Sequence, residues 1–160
     1  MAIGTRISPC LWFDREAEEA ARFYAGIFPN SRIGAIARYG EAGREYHGQP
    51  PGSVMTVAFE LDGQSFTALN GGPVFKFNEA VSLQIHCDSQ QQIDHYWNHL
   101  GEGGPPEAQQ CGWLKDRYGL SWQVVPSILP RLMQDPARGE RVMAALLRMT
   151  KLDIAALERA

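Results

Sequence analysis

Between Val54 and Leu61, apolar Val57, Phe59 and Leu61 alternate with smaller or polar neighbours, the period of a half-buried strand. Asp62-Gly63 follows as a hairpin turn, and residues 65–70 form the returning strand. Upstream, TRISPCLWF (residues 5–13) reads as a strand. Asp14 is then placed to cap a helix, with Glu16, Glu18 and Glu19 in the early turns, where the helix dipole favours them. Ala17, Ala20, Ala21, Tyr24 and Phe28 fall on one face of that helix, and Pro29-Asn30 ends it. Residues 31–39 form a further strand, residues 40–53 a Gly- and Pro-rich loop, and residues 71–79 a connector.

The same order of elements then recurs. Residues 80–87 read as a strand, Asp88 as a cap, and residues 89–100 as a helix. GEGGPPE is a loop, and short strands are expected near residues 107–111, 112–115 and 120–125. The two halves match in detail. Nine residues after Asp14 and after Asp88 stand Phe23 and Trp97, each beside a tyrosine, Tyr24 and Tyr96. The pattern predicts an α+β fold of two tandem βαβββ modules, about 5–70 and 80–126, in a domain spanning 1–127. Residues 128–160 differ. Val142, Met143, Leu146, Leu147 and Met149 make an apolar helical stripe, and LDIAALERA adds a short last helix. This helical appendage must bury its stripe on the sheet or on a partner.

Composition narrows the function classes. A net charge of −3 with no basic run argues against nucleic-acid binding. No apolar segment approaches the roughly 20 residues of a membrane helix. The opening MAIGTRISPCLWF lacks the apolar core and cleavage site of a secretory leader. Cys10, Cys87 and Cys111 are odd in number and read as buried thiols in a reducing cytoplasm.

The densest chemistry lies in GWLKDRYGLSWQVVP, residues 112–126. A tight turn at residues 116–119 separates Trp113 from Trp122, and Gln123 sits inside an otherwise apolar strand. An amide there is either a satisfied core group or one facing a polar cavity. His86 and Cys87 point to opposite faces of their strand, so they do not share a metal. Ser82, Gln84 and His86 share one face, and with Asn70 and Gln123 they make a candidate cavity lining. The plainer reading makes them ordinary satisfied polar groups. Trp113 and Lys115 also share a face, an aromatic wall beside a cation that suits an anionic or aromatic ligand. Trp12, Trp97 and Trp122 read by default as core. His95 and His99 have metal-compatible spacing on a helix but no third ligand near, so a solvated face is the reading. His47, with Arg44 and Tyr46, lies in a loop that is either a cavity lid or idle surface. Both strand-to-helix junctions, FDRE and CDSQ, lack the Gly-rich turn of an adenosyl- or dinucleotide-binding unit. There is no G-x-S-x-G elbow.

Three segments, ISPCLWFDREAEEAARFYAGIFPNS, FTALNGGP, and GLSWQVVP followed by MTKLDIAALERA, resemble the PhnB-like branch of the vicinal oxygen chelate superfamily. That superfamily also holds glyoxalase I, extradiol dioxygenases and bleomycin-resistance proteins, and members of this branch are often labelled 3-demethylubiquinone-9 3-methyltransferase-like. The resemblance implies two βαβββ modules curled around a cavity, and a homodimer. It also implies a divalent metal held by His, Glu or Gln from the first and last strands of each module. Those positions correspond here to Pro9, Ala68, Ser82 and Gln123, of which only Gln123 offers a ligand, and a weak one. The expectation is therefore a cytoplasmic small-molecule binder without metal or other cofactor. Its ligand-binding candidates are Asn70, Ser82, Gln84, His86, Trp113, Lys115 and Gln123. The alternative is a glyoxalase- or dioxygenase-type enzyme of unknown substrate, using cavity side chains or an unrecognised metal set, with methyl transfer disfavoured.

Overall fold

A computed structural model describes residues 6–160. Thr5, the expected start of the first strand, and the opening residues read for a leader lie outside the described residues. The chain divides into two compact units, Met1–Lys76 and Phe77–Ala160.

The first unit runs β1 (Cys10–Phe13), α1 (Ala17–Ile27), β2 (Arg32–Arg38), α2 (Arg44–His47), β3 (Val54–Leu61) and β4 (Gln64–Asn70). Its sheet has the order β1-β4-β3-β2, with β1 parallel to β4 and the remaining pairs antiparallel. This is the expected βαβββ unit, with the short α2 added inside the Gly-Pro loop. Asp62 and Gly63 both take positive φ, 49° and 81°, as a two-residue hairpin turn of the right twist requires. The sheet buries Val57, Phe59, Phe66 and Ala68 against α1, where Tyr24 stacks on Phe59 at 6.4 Å between ring centres.

The start of α1 differs from the expectation. Asp14 does not cap it, and the residue before the helix, Glu16, makes no side-chain cap bond. Instead Asn70, at the end of β4, accepts from the Ala17 N–H at 2.8 Å and donates to the Val54 carbonyl at 3.2 Å. A residue 53 positions away thus satisfies a donor that the helix leaves open.

The second unit runs β5 (Ser82–Cys87), α3 (Gln90–Gly101), β6 (Trp113–Lys115) and β7 (Ser121–Pro126). Its sheet order is β5-β7-β6, with β5 parallel and β6 antiparallel to β7. Ser89 rather than Asp88 caps α3: its hydroxyl accepts from Gln92 N–H, while the Gln92 side chain accepts from Asp88 N–H. The strand expected at residues 107–111 is absent. Pro106–Ala108 form a 3-10 turn, and Cys111 and Gly112 take left-handed φ of 55° and 84°, which no strand accommodates. Only the single bridge between Gln110 and Trp113 remains of it among the described residues.

Asp116 sets the β6–β7 turn. It is 1% exposed. One carboxylate oxygen accepts from the N–H groups of Tyr118 and Leu120, at 2.8 and 3.1 Å, and the other accepts from the Trp122 indole at 2.9 Å.

The tail folds as α4 (Leu129–Leu132), α5 (Pro136–Leu146) and α6 (Ile154–Arg159). Asp135 and Asp153 cap the last two helices through Arg138 and Ala156 N–H groups. Leu132, Val142, Leu146, Leu152 and Leu157 form a buried cluster, with Cys111, Val125 and Met149 packed against it. Burying such a side chain contributes roughly 1.5–3 kcal/mol. Polar bonds fix the docking. Gln90 of α3 donates to the Leu152 carbonyl at 3.0 Å and accepts from Ile154 N–H at 2.9 Å. Cys111 and Gly112 donate their N–H groups to the carbonyls of Met149 and Thr150. The apolar stripe is thus spent largely within its own unit, although Met143 and Leu147 remain exposed, at 38% and 59%.

Replacing Asp116 by Ala strands three donors, two of them main-chain, in a buried turn. The expected loss is about 3 kcal/mol or more, read as a lower urea midpoint at unchanged slope. An unchanged midpoint would remove Asp116 from its place in the turn.

Candidate functional site on the second sheet

Strand parity sorts the second sheet into two faces. Leu83, Ile85, Cys87, Leu114, Trp122 and Val124 lie on the side of α3, whose Ile93, Trp97 and Leu100 are buried. The opposite face is polar. Its first row across β5, β7 and β6 is Ser82, Ser121 and Lys115; the second is Gln84, Gln123 and Trp113; His86 and Val125 begin a third. Six of the seven expected ligand-binding residues therefore lie on one face of one sheet.

The bonds on this face are few. Gln123 donates from Nε2 to the Ser82 hydroxyl at 2.9 Å, and its amide oxygen has no partner among the described residues. Neither do the Gln84 amide, the His86 ring or the Trp113 indole N–H. The Ser121 hydroxyl is buried and unbonded although the residue is 1% exposed. Lys115 is ion-paired with Glu79, in the segment that enters β5. That contact holds the Glu79 carboxyl below its ordinary value, first by hydrogen bonding to Lys115. Ser121 and Glu79 were not among the sequence candidates. Ser121 was findable from its i, i+2 spacing with Gln123, whereas Glu79 meets Lys115 only through the fold.

Asn70 is the exception. Phe66, Ala68 and Asn70 share the α1 side of the first sheet, and the Asn70 amide is occupied by α1 and Val54. Its expected place in a cavity lining is thus corrected, and Ala68, expected at a metal-ligand position, also turns to the helix. The register that put Ala68 at a ligand position was one residue out, which exchanges the two faces of a strand. The other face of this sheet presents Cys10, Trp12, Thr67 and Leu69.

Other candidates resolve locally. His47 accepts from Gln49 N–H at Nδ1, lies 3.2 Å from the Ala42 carbonyl through Nε2, and packs on Tyr39, so its ring holds its own loop together. His95 and His99 sit 4.6 Å apart between ring centres on α3. Among the described residues no three His, Cys, Asp or Glu side chains gather as a metal-holding group. Of the three thiols expected to be buried only Cys87 is; Cys10 is exposed at the start of β1 and Cys111 half-buried. Burial, with Asp88 adjacent, pushes the Cys87 thiol up to about 11, and partial desolvation raises Cys10. Neither is a poised nucleophile. No helix among the described residues is long and apolar enough to cross a membrane.

Comparison with known proteins places this architecture. Residues 5–125 match the family described as 3-demethylubiquinone-9 3-methyltransferase. A PhnB protein from Bacillus cereus, which carries that methyltransferase name provisionally, is 33% identical, with 76% of this chain and 99% of that one covered and a TM-score of 0.64. The chain belongs to this PhnB-like family. A protein from Pseudomonas aeruginosa shares the fold at 20% identity and a TM-score of 0.58, with 77% and 98% of the two chains covered. No curated protein matches the chain.

In this PhnB-like chain the Glu79 carboxyl is expected to titrate below an ordinary glutamate. Its lowered value means that the pair's small contribution to stability is present at neutral pH and lost as pH falls through the folded-state value. Lys115→Met should raise the Glu79 value toward that of an ordinary glutamate. Carboxyl-carbon NMR across an acid titration reads both, and an unmoved Glu79 curve in the variant would refute the pairing.

Proposed function

We propose that this protein binds a small organic molecule on the polar face of the second sheet, without using a divalent metal. One observation carries the reading: Ser121, Gln123 and Trp113 are adjacent on that face and each holds an unused hydrogen-bonding atom, one of them fully buried. An unbonded buried hydroxyl costs stability, so a ligand that takes it recovers what the empty protein forgoes. Ser82 and Gln84 widen the polar floor, Lys115 supplies a charge, and His86 stands at the exposed end.

The donor set does not fit the superfamily's metal. With the register of the first sheet corrected, its open face carries Cys10, Trp12, Thr67 and Leu69, and the second sheet supplies Ser82 and Gln123; no His or carboxylate is among these six. Ser82 is a neutral hydroxyl already bonded to Gln123. One amide oxygen does not make a three-ligand site. Methyl transfer is equally unsupported. The β1–α1 and β5–α3 junctions carry no glycine with which to cradle an adenosyl cofactor. We place the protein in the cytoplasm, consistent with its unpaired cysteines, and propose that it works as a homodimer through Met143 on α5 and Leu147 just past its end, which sit one turn apart and exposed.

Purified protein is expected to carry no stoichiometric divalent ion. Zinc, nickel or iron near one per chain, lost in Gln123→Ala, would overturn the metal-free reading. A thermal-shift screen of small organic molecules should find ligands that raise the melting temperature, with the rise abolished in Gln123→Ala. A screen in which Gln123→Ala responds like the parent would move binding off this face. Light scattering at tens of micromolar should give a dimer, and Met143→Glu with Leu147→Glu a monomer. A monomeric parent chain would end the dimer proposal.

A further inference from the structure

The binding face carries an ion pair of unusual placement. Lys115 is on β6, Glu79 lies three residues before β5, and β7 runs between those two strands. The Lys115 side chain is on the polar face, beside Ser121 in the register, with Ser82 on the other side. The pair therefore reaches across the start of β7 where the one buried, unbonded side-chain atom among the described residues sits. The two partners are not held alike: the Lys115 side chain is 26% exposed and fixed in a strand, while Glu79 is 63% exposed in a connector.

We propose that the ligand of this face is a carboxylate whose anionic group displaces Glu79 from Lys115 and accepts the Ser121 hydroxyl. This rests on the binding reading above and adds the chemical class. Glu79 is the protein's own occupant of the position. A carboxylate offers two oxygens, one for the ammonium of Lys115 and one for the hydroxyl, and Glu79 uses only the first of these. Exchange is cheap, because an exposed ion pair contributes little and the incoming pair is of the same kind. The gain is the Ser121 hydrogen bond, charge-assisted once an anion accepts it. A neutral ligand leaves Lys115 with Glu79, and a cation meets Lys115 as a like charge. Beyond the carboxylate, the row Gln84, Gln123 and Trp113 offers amide groups and an indole N–H to a flat, partly polar body.

Benzoate is the probe and benzamide its uncharged counterpart, each titrated into the full chain while the Trp113 indole and Gln123 side-chain NMR signals are followed. If Glu79 holds Lys115 about nine-tenths of the time, Glu79→Gln should bind benzoate about tenfold more tightly than the parent. Lys115→Met should lose the binding. Ser121→Ala should weaken it roughly threefold to tenfold while its melting temperature stays level or rises, since the variant deletes an unsatisfied group. Benzamide should not distinguish parent from Glu79→Gln. Benzoate binding no tighter in Glu79→Gln, or unimpaired in Lys115→Met, overturns the carboxylate assignment. Benzamide shifting the Trp113 signal as strongly as benzoate also overturns it while leaving ligand binding at this face intact. Loss of the binding reading itself shows separately, as Gln123→Ala keeping the parent's response in the screen.

Discussion

The Asp116 carboxylate fixes the second unit's arrangement. By receiving the N–H groups of Tyr118 and Leu120 it closes the turn, and by receiving the Trp122 indole it fixes where β7 sets out. Strand side chains alternate, so that one anchor decides every residue after it. Trp122 and Val124 go to α3, and Ser121 and Gln123 go to the other face. A slip of one residue would bury Gln123 against Ile93 and Trp97 and put the indole of Trp122 in water. A buried carboxylate satisfied by three donors is a costly device, and it is used where register carries the greatest consequence.

The fold was legible where its causes are local. Val54–Leu61 has the same ends in the sequence pattern and in the structure, because alternation and the Asp62-Gly63 turn are both short-range signals. The last two helices of the tail were legible from their apolar spacing, although α4 was not, and the PhnB-like family was legible from motifs spread over both halves. The errors have long-range causes. Residues 107–111 look like a strand until Cys111 and Gly112 turn left-handed to donate to Met149 and Thr150, nearly 40 positions on. Asp14 looks like a cap, but Asn70 does that work from another strand.

The same distinction governs the candidate site. Ser82, Gln84 and His86 share a face by simple counting, and Gln123 joins them because β5 and β7 pair in register. Trp113 and Lys115 follow from their spacing of two. Asn70 failed the same count because alternation groups residues by face but does not say which face of β4 the helix covers. Ser121 was passed over because a serine at the start of a strand looks unremarkable. Its spacing of two from Gln123 places it on the face, but what singles it out there is burial without a partner, a tertiary property.

The tail's return to Cys111 and Gly112 has a consequence for synthesis. The second unit closes with Leu152 and Leu157 in its core and with two main-chain donors held by residues 149 and 150. Until those residues leave the ribosome, β6 and β7 stand beside an open apolar surface. The first unit has no such debt, since its sheet is complete at Asn70. The first half of the chain can therefore begin to settle while the second is still being made.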